Sequence, residues 1–317
     1  MAVGVISHLS NPDFAAVASL AVAAEEAGAD WLGLPDAFWW RDTWLLLAEA
    51  VRATRRIMLG PVVTNPYLRH PFQTVSALAS LQDLATPARV FIGIGAGGSE
   101  VSGAAGVPRT DAVERIRALV ALIEGVARDQ LLDAASGRTL DVPLQQPRVL
   151  IAGRGDGILQ VAGECADSVL LWAIPRSDLP RSVALVARGA MQASRRPELV
   201  WAPLVDHGGA SRERQRAIAA YSVLNSHRSL QAIWGLDRAT LHTLRDRLVG
   251  GGAAAAQDLV PAAALEDLIL SDPSPAAVAP LARDLGATSL AVPAFTLDEV
   301  GTRVTWARQV LALAGAQ

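Results

Sequence analysis

The chain contains no lysine: all 28 of its basic side chains other than histidine are arginine. Schiff-base catalysis and a lysine-anchored pyridoxal phosphate both need a side-chain amine, so both classes are excluded. A single cysteine, Cys165, permits neither an internal disulfide framework nor a multi-cysteine zinc or iron–sulfur site, and it is expected to pack in the core. Excess charge of one sign is also missing. A formal net charge of −3 offers no global attraction to nucleic acid. Apolar runs are short and interrupted, so no transmembrane helix is expected. The start "MAVGVISHLS" has no basic n-region and no long apolar h-region, and a cytoplasmic location is the expectation. No histidine pair has the helical spacing of a metal site, and no GxSxG nucleophile elbow occurs. Metal catalysis is therefore not expected.

What the chain does have is length and alternation. Its 317 residues are 51% hydrophobic and 19% charged, enough for a large buried core. Short β-branched runs alternate with alanine-rich amphipathic stretches. Strands are expected near 3–7, 31–35, 57–63, 89–96, 148–153, 167–172, 199–206 and 289–294. Helices are expected near 12–28, 43–55, 71–85, 109–128, 156–166 and 178–194, as several pieces over 211–285, and near 298–314. This alternation points to an α/β fold, a (β/α)8 TIM barrel, rather than an open sheet. The junctions "AEEAGADWLGL", "AGECADSVLL" and "ARDLGATSLAV" echo one another: a small residue, a polar residue, then a strand. Gly28 and Gly286 suit the left-handed position that ends a helix. "LVGGGAAAAQ" (248–257) resembles a linker, but too little chain follows it for a second core, so 1–317 is read as one domain.

In such barrels binding and catalytic groups sit on the loops after the strands. There the sequence places His8, then "DAFWWRDTW", "TNPYLRHP", "GGSE" and "RGDG". Gly93 to Gly98 fits GxGxxG formally, but no second strand with an acidic end follows at the distance a dinucleotide site needs. The stretch reads better as a glycine-rich barrel loop. Gly153, Arg154, Gly155 and Gly157 surround an expected helix start, where free N–H groups and the helix dipole favour an anion. An ordinary strand-to-helix turn is the other reading. Trp39, Trp40 and Trp44 could each close the barrel mouth; together they would make a flat wall for an aromatic ring.

The segments "AEEAGADWLGLPDAFWWRD", "ATRRIMLGPVVTNPYLRHP", "LASLQDLATPARVFIGIGAG" and "IAGRGDGILQVAGECADSVLL", in that order, resemble the bacterial luciferase-like superfamily. The resemblance is greatest to its branch of coenzyme F-420-dependent reductases, methylenetetrahydromethanopterin reductase among them. It weakens over 211–260 and returns near 261–292. It implies a bulge in the third strand with a non-prolyl cis peptide, here Val62–Val63, pressed against the deazaflavin ring. Thr64 and Asn65 would then hydrogen-bond near that ring. The cofactor's tail phosphate would lie by Gly153, Arg154, Gly155 and Gly157, with Gly95, Ala96 and Gly97 flanking the approach. The other reading is that "NPYLRHP" merely caps strand three and starts the next helix.

Many relatives carry Asp-His after strand two, whereas this chain has Asp36-Ala37. Asp36 would keep the pocket polar, and His8 or Glu100 would stand in as proton carrier. The implied activity is hydride exchange between coenzyme F-420 and a small organic substrate, a C=N or C=C compound being one option. An FMN-dependent monooxygenase is the alternative reading, and a non-catalytic flavin-binding barrel is a third. A homodimer is implied by the resemblance; no nucleic-acid or membrane partner is expected.

Overall fold

In this computed structural model, residues 1–98, 105–108, 110–252 and 255–315 are described. Each short apolar run becomes a parallel strand buried on both faces, which is why these segments carry continuous hydrophobic sequence. The strands are β1 (Ala2–Ser7), β2 (Trp31–Leu34), β3 (Met58–Pro61), β4 (Phe91–Gly95), β5 (Arg148–Ala152), β6 (Ser168–Trp172) and β7 (Glu198–Ala202). After two short pieces, β8 (Leu204–Val205) and β9 (Ile269–Leu270), comes β10 (Ser289–Ala294). The eight-stranded sheet runs β3-β2-β1-β10-β7-β6-β5-β4. Its two ends meet through the bridges Leu59–Val90 and Thr64–Ile94. At that seam Thr64 N–H donates to the Gly93 carbonyl at 2.9 Å, and Gly95 N–H to the Thr64 carbonyl at 2.9 Å. The result is the expected (β/α)8 barrel.

Helices α1 (Phe14–Glu26), α2 (Thr43–Ala53), α3 (Pro71–Leu84), α4 (Ala112–Val126), α5 (Asp156–Cys165) and α6 (Leu179–Gln192) alternate with the first strands. Side-chain caps set several of their starts. Asp13 accepts from Ala16 N–H at 2.8 Å and Asp42 from Trp44 N–H at 2.9 Å. Gly28 and Gly286 adopt φ of +78° and +66°, the left-handed turn expected of them. The long helical segment resolves into α7 (Gly209–Leu224), α8 (Arg228–Ile233), α9 (Arg238–Gly251), α10 (Ala262–Leu268) and α11 (Pro275–Asp284). The strand expected over 199–206 breaks at Pro203, and β8 pairs with β9, which the sequence reading missed, in a separate parallel ribbon. Helix α12 (Glu299–Ala314) follows β10. No described helix is long and apolar enough to cross a membrane.

Three hydrophobic clusters result: one between barrel and helices, one inside the barrel, and one under α7 to α10. Inside the barrel the Trp31 and Phe91 rings meet edge to face at 5.7 Å. A Cβ on Gly4 would lie 1.9 Å from the Trp31 ring, so glycine there is dictated by the indole beside it. The repeated junctions also acquire a cause. The Asp30 carboxylate accepts Val3 N–H at 2.7 Å and binds Arg308 at 2.8 Å. Asp167 accepts Val149 N–H at 2.8 Å and binds Arg195 at 3.0 Å. In both, the polar residue before one strand ties down the start of its neighbour.

Candidate active site

A cavity of about 950 Å³ opens at the carboxyl ends of the barrel strands. Its volume lies at the upper end of the range for small-molecule sites. Strand β1 delivers His8, the loop after β2 delivers Asp36, and the chain beyond β3 delivers Val62, Val63 and Asn65. The loop after β4 contributes Ala96 and Gly97 beside Gly95 of the strand itself, and the loop after β5 contributes Gly153, Arg154 and Gly155. Sequence positions scattered over about half the chain are thus brought to one mouth. Glu100 lies outside the described residues.

The Val62–Val63 peptide bond is cis. Both valine side chains face cavity-lining surface, and glycines on the flanking strands make room for them. A Cβ on Gly33 would lie 2.2 Å from Val62 Cγ2, and one on Gly95 would lie 2.7 Å from Val63 Cγ2. Gly95 is therefore glycine because of Val63, and not simply to admit a ligand to the backbone. Thr64 lies on the far side of the bulge. It lines a neighbouring space of about 190 Å³ shared with Asp36, Ala37, Asp42 and Arg69. The Asn65 side-chain Oδ1 accepts Tyr67 N–H and Leu68 N–H, both at 3.1 Å, so that oxygen turns the chain and does not point at a ligand. His70 caps α3 through Nδ1, and Arg69 pairs with Asp42 at 2.5 Å. The capping reading of "LRHP" holds for these two side chains.

At the start of α5, Gly155 is the N-cap and offers no side-chain acceptor to the first turn. Backbone N–H groups there have no carbonyl of their own helix to meet. Asp156 would repel an anion at this position, but it is held by Arg181, which also grips Asp178 at 2.6 Å. The Gly157 position turns away from the cavity, since a Cβ there would meet Val113 of α4 at 2.8 Å. The Arg154 guanidinium reaches across the mouth, donating to the Trp172 carbonyl at 3.1 Å and to Ser222 Oγ at 3.0 Å. A helix start without a side-chain cap beside an arginine fits a phosphate group, and the apolar valine pair lining the cavity fits the face of a flat ring.

Electrostatics separate the two candidate proton carriers. Burial lowers the His8 imidazole to about 4, so it is neutral at neutral pH. Its Nε2 is buried without a hydrogen-bond partner among the described residues. Burial raises the Asp36 carboxyl above the ordinary range, and the Asp42 charge adds to this; the Thr64 hydroxyl and Arg69 pull less strongly the other way.

Sequence reasoning missed half of the wall. His8 stacks on Trp172 at 5.2 Å and meets Phe295 at 5.4 Å. Helix α7 lays Arg214, Ile218, Tyr221 and its C-cap Asn225 along the same cavity. Their spacing of four, three and four residues is one helical face, and that periodicity was the available signal. Trp39 and Trp40 line the mouth, but Trp44 packs into the core, so the expected wall of three tryptophans is not formed.

Fold and site together define a parallel-barrel protein with a ligand-sized cavity at the carboxyl ends of its strands. The chain belongs to the luciferase-like monooxygenase family, whose model matches residues 1–288. It is 30% identical over 190 residues to the 5,10-methylenetetrahydromethanopterin reductase of Methanolobus tindarius, covering 58% of each chain. It is 32% identical over 200 residues to the F420-dependent glucose-6-phosphate dehydrogenase of Beutenbergia cavernae, covering 55% of this chain and 58% of that one. The matched region thus spans little more than half the length of these two relatives. Among solved structures, the coenzyme F420-dependent tetrahydromethanopterin reductase of Methanopyrus kandleri superposes with a TM-score of 0.76 at 21% identity, over 96% of this chain and 98% of that one. An F420-dependent secondary alcohol dehydrogenase superposes with a TM-score of 0.73 at 16% identity, over 98% of both chains.

Proposed function

We propose that the protein is an F-420-dependent oxidoreductase that exchanges hydride with a small organic substrate. The observation that carries this reading is one cavity holding both an apolar valine bulge and an uncapped helix start. The names of its relatives support the choice of cofactor. When bound, the deazaflavin would supply or accept the hydride.

The remaining tasks fall to the chain. Val62 and Val63 would support one face of the ring, and the first-turn N–H groups of α5 with Arg154 would hold the phosphate. Asp36, whose carboxyl keeps its proton to higher pH than usual, would deliver or take the proton at its carboxyl oxygen. Neutral His8 would orient the substrate through Nε2. This assigns proton transfer to Asp36 and orientation to His8.

The family's description as monooxygenases favours FMN-dependent oxygenation as a second reading. Titrating the protein with F-420 and with FMN, followed by absorbance, separates the two. Tighter binding of F-420, with no oxygen consumed on turnover, is the expected result. FMN binding with substrate-dependent oxygen uptake would replace this reading with the second.

A further inference from the structure

The cavity has two chemically different halves. One half is glycine-rich and valine-walled, built from the ends of β3, β4 and β5. The other is aromatic, built from β1, β6, β10 and α7. In the ring order of the strands, β10 stands three places from β3 and three from β5. Phe295 thus stands opposite both parts of the proposed cofactor seat in strand order, while Arg154 touches this half through the Trp172 carbonyl and Ser222.

That wall has a defined composition. Trp172, His8 and Phe295 follow one another at ring-centroid separations of 5.2 and 5.4 Å. The Arg214 guanidinium carbon lies 5.6 Å from the Phe295 ring centroid, and its Nη1 donates to the Phe295 carbonyl at 2.9 Å. Arg154 and Arg214 are the arginines among the described residues lining the cavity. Arg154 springs from the loop after β5 and is already engaged by the Trp172 carbonyl and Ser222 Oγ. Arg214 has no carboxylate partner among the described residues, whereas Arg212 on the same helix is paired with Asp206 at 2.7 Å. Arg214 is exposed at the cavity mouth, and the lining positions that follow it along α7 are apolar or aromatic, Ile218 and then Tyr221. At about 1.5 Å of rise per residue, Arg214 stands roughly 10 Å from Tyr221 along the helix axis. That is the length of a two-ring aromatic molecule.

We propose that this half is the substrate subsite, that it takes a flat apolar molecule bearing a carboxylate, and that Arg214 is the residue that selects the carboxylate. The proposal rests on the F-420 reading only for the assignment of the opposite half to the cofactor. The physical basis is general. Aromatic walls accept a planar apolar body through its faces and edges. A guanidinium held by a backbone carbonyl and a ring face is preoriented to bind a carboxylate with charge-assisted hydrogen bonds. A neutral isostere would leave that cation without its partner.

The test uses two probes of the same shape, naphthalene-2-carboxylate and naphthalene-2-carboxamide, titrated calorimetrically into the full chain with and without F-420. The carboxylate is expected to bind about ten- to a hundredfold more tightly than the amide. Arg214→Gln should erase that preference without weakening the amide, and Arg214→Lys should restore part of it. The F-420 dissociation constant should be the same in all three proteins. Equal affinity of wild type for the two probes overturns the proposal. So does an Arg214→Gln protein that loses F-420 affinity in place of carboxylate preference, because Arg214 would then belong to the cofactor's tail. Should the carboxylate preference appear in a protein that does not bind F-420, the subsite stands and the cofactor assignment falls.

Discussion

Asp36 and His8 share one cavity, yet burial moves them in opposite directions, the carboxyl upward and the imidazole down to about 4. A raised carboxyl is a competent acid at a pH where an ordinary aspartate is already ionised. Single-turnover reduction of substrate should therefore slow as pH rises through the Asp36 titration. Asp36→Asn should lower the rate by about 10²–10⁴-fold and abolish that pH dependence. A rate in the variant that still falls with pH would place the proton elsewhere. For His8 the sharper measurement is stability. Its folded value of about 4 lies below the 6.5 of the free group, so the unfolded chain takes up the proton first as pH falls. The associated stability is whole above pH 6.5 and is lost between 6.5 and 4. His8→Gln should flatten the urea-midpoint profile across that window by on the order of 3 kcal/mol at most, while leaving stability at pH 7 and above nearly unchanged.

At the level of whole elements, the link between α2 and β3 depends on one carboxylate from α1. Glu25 accepts the backbone N–H groups of Arg55 at 3.0 Å, Arg56 at 2.6 Å and Ile57 at 2.9 Å. Partial burial pushes its carboxyl up, but these three bonds and the Arg56 charge together outweigh it and hold the group below its ordinary range. Its contribution is present above the unfolded value and is lost as pH falls through the lower folded value. Glu25→Gln should cost about 1–3 kcal/mol at pH 7 by urea denaturation, and progressively less as pH falls through the lowered titration of the wild-type carboxyl. Much of this element-level design was legible. Apolar runs such as "VGVIS" and "SLAVPA" gave β1 and β10 to within a residue, because strands buried on both faces leave no polar position to obscure them. Asn65 lines the cavity as expected, but its Oδ1 is taken up by the turn that follows, which the residue types alone did not show. The inner face of α7 went unread because it is interleaved with Arg212, Glu213 and Arg216, and its partner surface comes from strands distant in sequence. Gly95 lines the cavity, and the sequence shows no local pattern for its second constraint, Val63 from another strand filling the space beside it.

Considered as one body, the barrel is filled from within by a few large side chains seated against glycines. Trp31 is 5% exposed, with Gly4 beneath its indole and Phe91 at its edge. Trp31→Ala should cost about 3–5 kcal/mol, as the empty volume cannot be refilled by Gly4 or Phe91. A calorimetric scan showing an unchanged melting temperature would mean that the barrel interior collapses onto the gap. The third hydrophobic cluster, under α7 to α10, is separate from the layer inside the barrel. Arg214, Ile218 and Tyr221 ride on α7, whose other face contributes Ala219, Ala220 and Val223 to that outlying cluster. The valine bulge and the α5 start, by contrast, are anchored to the barrel. The two walls of the cavity therefore rest largely on different packing, joined where Arg154 bonds the Trp172 carbonyl and Ser222 of α7. A lineage built on this plan can exchange the outlying helices, and with them the molecule it acts upon, while inheriting its cofactor seat intact.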